Sequence, residues 1–165
     1  MNYFAYGSNM SLARLQARVP SAHRIASAVL SAHSLRFHKS GQDGSGKCDA
    51  FHTLDDGDSV IGAVFRLDPL EKPGLDLVEG LGFGYAEKSV SVICPSGVEH
   101  RASTYYATAI DLSLKPFSWY RHHVLVGARE SALPDDYIRR IEAVDHVEDP
   151  DRARDRLERA LHAAR

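Results

Sequence analysis

The chain has 165 residues, 44% of them hydrophobic and 25% charged, with 20 Lys and Arg against 22 Asp and Glu for a formal net charge of -2. This length buries a core without disulfide or metal support, and the near balance of charge creates no field to gather phosphate backbones or anionic lipid, which speaks against nucleic-acid and membrane partners. Cys48 and Cys94 stand apart outside any Cys-x-x-Cys pattern, and the nine histidines include no His-Glu-x-x-His, so neither a disulfide framework nor a metal site is expected.

In chain order, residues 2–6 alternate as a strand does and run into Gly7-Ser8-Asn9. Ser11 then caps a short helix with Leu12, Leu15 and Val19 on one face, ended by Pro20. Residues 25–37 read as extended, and the Gly-, Ser- and Asp-rich stretch 39–49 reads as an exposed, mobile loop. Strands are expected at 50–54 and 60–67, joined as a hairpin by Asp55-Asp56-Gly57-Asp58. Asp68, Pro69 and Gly80 then bound a helical segment, which Pro73-Gly74 is expected to divide. A second hairpin follows, with strands at 85–94 and 100–107.

The period then changes. Trp119, Tyr120, His123, Val124 and Val126 recur at helical spacing over 117–128, and Pro134 with Asp135 and Asp136 starts another helix. A charged helix at 150–165 carries Leu157, Ala160, Leu161 and Ala164 as a narrow stripe that covers its own core. One domain spanning 1–165 is expected. Strands first and helices later indicate an α+β fold, a small curved or barrel-like, largely antiparallel sheet with helices outside. No stretch of about 18 apolar residues occurs and no basic segment leads an apolar run, so a cytoplasmic location is expected.

Three features carry chemistry. Where a strand passes into a helix at Tyr6-Gly7-Ser8-Asn9, several N–H groups share one concavity, suited to a carboxylate or a developing oxyanion. The plainer alternative is a turn capped by Asn9 or Ser11. Glu79 follows Leu75, Leu77 and Val78 and precedes a glycine-rich turn, and a carboxylate held against apolar residues has the raised pKa that a base for an amine requires. A solvated glutamate at a helix end is the alternative. Tyr120 can line a pocket with its ring while its hydroxyl reaches a ligand, or can simply pack the core.

"YFAYGSNM", "LDLVEG" and "WYRHHVLVGARESALPDDY", in that order and over residues 2–137, resemble the gamma-glutamylcyclotransferase family. The resemblance implies a mixed fold around a small barrel and conversion of a γ-glutamyl amide into 5-oxoproline and a free amine, without a metal or organic cofactor. It places the family's anion loop on Tyr6, Gly7, Ser8 and Asn9 and its catalytic glutamate on Glu79. Tyr85 is the candidate for the family's downstream tyrosine, although the interval from Glu79 is one residue short. A small γ-glutamyl substrate and a homodimer are the partners it implies, with substrate preference set in the 39–50 loop. Two other classes stay open: a binding module holding an amino-acid-like ligand in the same pocket, and an interaction domain using the helix at 150–165.

Overall fold

A computed structural model describes residues 1–162. Its strands are β1 (Asn2–Ala5), β2 (His23–Ser31), β3 (His33–Ser40), β4 (Gly46–His52), β5 (Ser59–Arg66), β6 (Tyr85–Ile93) and β7 (Glu99–Ala107). Its helices are α1 (Leu12–Gln16), α2 (Lys72–Glu79), α3 (Ser118–Glu130), α4 (Asp135–Glu142) and α5 (Arg152–Ala160), with 3₁₀ turns at Ser8–Met10 and Pro69–Glu71. Five strands close a barrel in the order β1-β5-β2-β6-β7, and β3 and β4 form a separate two-stranded sheet. The fold is α+β, a barrel with helices outside. No helix among the described residues is long and apolar enough to cross a membrane.

Closure removes the edges that an open sheet would leave unpaired. The seam is β1 beside β7, the barrel's parallel pair, where Tyr3 faces Ser103; the other neighbours run antiparallel. Parallel pairing brings the C-terminal ends of β1 and β7 to one end of the barrel, and β6, antiparallel to β7 with Tyr85 opposite Ala107, begins there. Three strand ends thus meet over one mouth. Strand β6 alternates as a half-buried strand does, with Val90 and Val92 inward, whereas consecutive Ala63, Val64 and Phe65 of β5 are all buried because both faces of that strand are covered.

Several expected local features differ. The strand at 50–54 pairs with β3 and not with β5, so Asp55–Asp58 links the two sheets and is not a hairpin turn. The stretch expected as an exposed loop at 39–49 is the end of the β3–β4 hairpin, where Lys39, Ser45, Cys48 and Asp49 are buried. Its polar residues satisfy one another: His38 Nε2 lies 2.9 Å from Asp49 Oδ2, and Asp49 Oδ1 accepts from the Ala107 N–H at 2.8 Å. Polar composition marks exposure only where such partners are absent. Pro73 does not divide the helix but sits in the first turn of α2, where a missing N–H costs nothing; the irregularity falls earlier, at Pro69–Glu71. The extended run at 25–37 is two strands, broken at Ala32 with φ 58°.

Helix α5 docks by charge, and its apolar stripe does not cover a core. Leu157 is 73% exposed, and Ala164 lies outside the described residues. Arg154 instead grips the buried Asp149 with two bonds, Nε to Oδ2 at 2.6 Å and Nη2 to Oδ1 at 2.7 Å, and Trp119 Nε1 donates to Asp149 Oδ2 at 2.7 Å. Glu158 meets Arg14 and His123.

These carboxylates predict an acid limit to stability. The Arg154 bonds, opposed by burial, hold Asp149 well below the usual carboxylate range. Burial raises Glu158, but the His123 and Arg14 contacts outweigh it and bring it to about 2. Both folded values are depressed, so the stabilisation is complete above the unfolded values of about 4 and is lost as pH falls towards the folded ones. Urea midpoints are expected to hold from pH 7 to about 5 and to drop steeply below about 4. Asp149→Asn, already lacking the charge, is expected to start lower at pH 7 and fall less. Parallel pH curves for the two proteins would refute the assignment.

Candidate functional site

At the mouth where β1 and β7 end and β6 begins, a small cavity of about 30 Å³ is lined by Tyr3, Tyr6, Gly7, Ser8, Asn9, Cys48, Glu79, Tyr85, Tyr105 and Tyr120. The chain reaches it at Ala5, then turns: the N–H groups of Met10 and Ser11 bond back to the carbonyls of Gly7 and Ser8 at 3.0 and 3.2 Å. No such bond is made by the N–H groups of Ser8 and Asn9 to a carbonyl or side chain among the described residues. Ser11 then caps α1, its hydroxyl accepting from the Arg14 N–H. Gly7 has a packing reason to lack a side chain, since a Cβ there would lie 2.9 Å from Cys48 Cβ.

Glu79 is the last residue of α2, which stops because Gly80 adopts the left-handed conformation at φ 70°. Glu79 Oε1 accepts from Asn9 Nδ2 at 3.0 Å and from Arg18 Nη1 at 2.7 Å, and the same Arg18 nitrogen donates to Asn9 Oδ1 at 2.7 Å. Asn9 Nδ2 also donates to the Tyr3 hydroxyl at 3.0 Å. The apolar setting expected for this carboxylate is therefore absent. Leu77 and Val78 of α2 turn to solvent, and the acid, its side chain 15% exposed, is held by a guanidinium and an amide. Its Oε2 takes no hydrogen bond from the described residues.

The aromatic wall is braced from within. Tyr85 donates its hydroxyl to the Cys48 carbonyl at 2.6 Å, while Tyr120 accepts the Cys48 N–H at 3.0 Å, so two tyrosines clasp one residue of β4. Tyr6 donates to the Tyr105 carbonyl at 2.6 Å, and Tyr105 to Asp76 Oδ1 at 2.6 Å. Burial pushes the Cys48 thiol up to about 12, which keeps it protonated at neutral pH and unfit as a nucleophile.

Outside this cavity, and sharing Ser8, Glu79, Tyr85 and Tyr120 with it, a wider cleft of about 470 Å³ opens past Arg14, Arg18, Lys39, Lys47 and Arg154. All seven residues singled out from the sequence, Tyr6, Gly7, Ser8, Asn9, Glu79, Tyr85 and Tyr120, line the inner cavity. Tyr3, Tyr105, Cys48 and Arg18 were not foreseen. Tyr3 was within reach, as it shares the aromatic alternation of β1 with Tyr6; Arg18 follows α1 with no local pattern to mark it.

A model of the AIG2-like family matches residues 59–141. A gamma-glutamylcyclotransferase of Homo sapiens is 31% identical over 147 residues, 87% of this chain and 78% of that protein. That of Mus musculus is 30% identical over 162 residues, 94% of this chain and 85% of that one. A solved gamma-glutamyl cyclotransferase superimposes with a TM-score of 0.88 at 28% identity, covering 99% of both chains.

Proposed function

The chain belongs to the gamma-glutamylcyclotransferase family and is an enzyme of that type, and from that premise we propose that it releases 5-oxoproline from a γ-glutamyl amide with Glu79 as the general acid and base. The substrate's α-amine attacks its own γ-carbonyl carbon, a ring C–N bond forms, and the bond to the leaving amine breaks. Both reactants belong to one molecule, so folding the glutamyl chain into near-attack geometry recovers much of the barrier. At neutral pH that amine is largely ammonium, with a reference pKa of ~8, and has no lone pair to attack with. Glu79 takes one proton from that ammonium and returns it to the leaving nitrogen as the tetrahedral intermediate collapses, while the ring nitrogen gives up a second to solvent, leaving a lactam N–H and a free amine.

The observation that supports this best is the 3.0 Å bond from Asn9 Nδ2 to Glu79 Oε1, which ties the acid to the turn whose Ser8 and Asn9 N–H groups make no bond among the described residues. Those donors would hold the glutamyl carboxylate or the oxyanion, at a scale of roughly 3 kcal/mol per donor. Tyr6, Tyr85 and Tyr120 would shape the pocket with their rings, their hydroxyls being engaged with the backbone. A cavity of about 30 Å³ admits only the end of a ligand, so the leaving group would lie in the wider cleft.

The expected result is 5-oxoproline from at least one of γ-glutamyl-alanine, γ-glutamyl-ε-lysine and glutathione, measured by chromatography. Calorimetric binding of all three without product would instead mark a binding module and overturn the reaction.

A further inference from the structure

The wider cleft carries five cationic side chains, and four are already paired. Lys47 Nζ lies 2.6 Å from Asp43, Arg18 2.7 Å from Glu79 and Arg154 2.6 Å from Asp149, while Arg14 meets Glu158. Lys39 is different. It is 7% exposed, yet among the described residues its ammonium makes no ion pair and no hydrogen bond; it rests 4.6 Å above the Tyr85 ring.

Two local features put it there. Strand β3 is irregular between Arg36 and Lys39, where three steps along β3 match two along β4, and this turns consecutive His38 and Lys39 inward where a regular strand would alternate them. Gly84 leaves room for the end of the lysine, since a Cβ there would sit 2.9 Å from its Cε and 3.0 Å from its Nζ. The stem is packed away while the ammonium itself opens onto the cleft, so the charge is held in place with no partner from the described residues and within reach of whatever enters. Burial lowers its pKa, with the fields of Glu79 and Asp43 acting the other way. A cation kept in this state beside Glu79 and Tyr85 is a receptor for an anion that arrives with the ligand.

We propose that Lys39 binds a carboxylate on the leaving amine, so that this enzyme selects γ-glutamyl amino acids or peptides over γ-glutamylamines that lack one. This rests on the cyclotransferase reading above. The turn at Gly7–Asn9 takes the glutamyl end in the inner cavity, and the scissile bond points the other end of the substrate towards Lys39. Its ammonium supplies a charge-assisted hydrogen bond that only an acid-bearing leaving group completes.

The test compares γ-glutamyl-alanine with γ-glutamyl-alaninamide, which differ at that carboxylate alone, in the wild type, Lys39→Met and Lys39→Gln. The wild type is expected to favour the acid at least about tenfold in kcat/KM, mostly through KM, the scale of one hydrogen bond to a charged group. Both variants are expected to bring the ratio close to one. A wild-type ratio near one, or a ratio that survives both substitutions, overturns the proposal while 5-oxoproline formation leaves the reaction standing. Calorimetry of both compounds with Glu79→Gln, with and without Lys39→Met, reads the same preference without turnover. Acid-selective binding lost with Lys39 upholds its role even if the wild type makes no 5-oxoproline.

Discussion

Glu79→Gln is expected to lower kcat on a γ-glutamyl substrate by about 10²–10⁴-fold, the usual contribution of a positioned acid–base group. The substitution is nearly isosteric, and a glutamine Oε1 can still accept from Asn9 Nδ2 and Arg18 Nη1, so the geometry of the mouth is retained. What is lost is the one carboxylate among the residues that line the inner cavity. Tyr3, Tyr6, Tyr85, Tyr105 and Tyr120 all have hydroxyls raised by burial above their ordinary range, and the Cys48 thiol is raised with them. KM is expected to change far less than kcat, because the proton transfer proposed for this carboxylate belongs to the transition state. Steady-state rates of 5-oxoproline release, with circular dichroism to verify folding, decide the matter. Turnover equal to the wild type would remove Glu79 as the base.

Gly127→Ala is expected to be among the most damaging small substitutions outside the cavity. In α3 this glycine lies against the chain that follows the 3₁₀ turn: an added Cβ would come within 2.3 Å of Ser11 N and 2.4 Å of Met10 C and Cβ. Backbone cannot swing aside as the end of a lysine can, so α3 and the Ser8–Ser11 segment must part. Overpacking of this kind costs about 1–3 kcal/mol and sometimes more, and at this chain length each kcal/mol lowers Tm by about 2–4 °C. The same displacement moves Ser8 and Asn9, and misplacement by about 1 Å can cost on the order of 10²-fold in rate. A drop in Tm together with a fall in kcat/KM is the expected pair. A Tm that stays at the wild-type value would contradict the close contact.

The two positions also mark what could be read without coordinates. Glu79 stood out because an acid that follows apolar residues and precedes a glycine-rich turn is a local pattern, and Tyr6 to Asn9 because a strand running into small polar residues is another. The expected apolar setting of Glu79 failed for a tertiary reason. Leu77 and Val78 adjoin it in sequence but face solvent, while its neighbours in space are Asn9, 70 positions away, and Arg18, 61 positions away. Lys39 was hidden in a stretch whose Gly, Ser and Asp read as loop, since composition does not reveal that His38 and Asp49 pair inside.

From the order of residues alone come the α+β class, the strand and turn at the start, the caps at Ser11 and Asp68, the stop at Gly80 and the helical period of 117–128. Each depends on neighbours a few positions apart, where φ/ψ preference and side-chain spacing act directly. Barrel closure decided the rest: which strands pair, that β1 lies parallel to β7, that Arg18 reaches Glu79 and that Tyr85 and Tyr120 clasp Cys48. A period tells which face of an element is buried but not what is buried against it. That choice belongs to contacts between distant segments, whose energies appear only once the chain has closed.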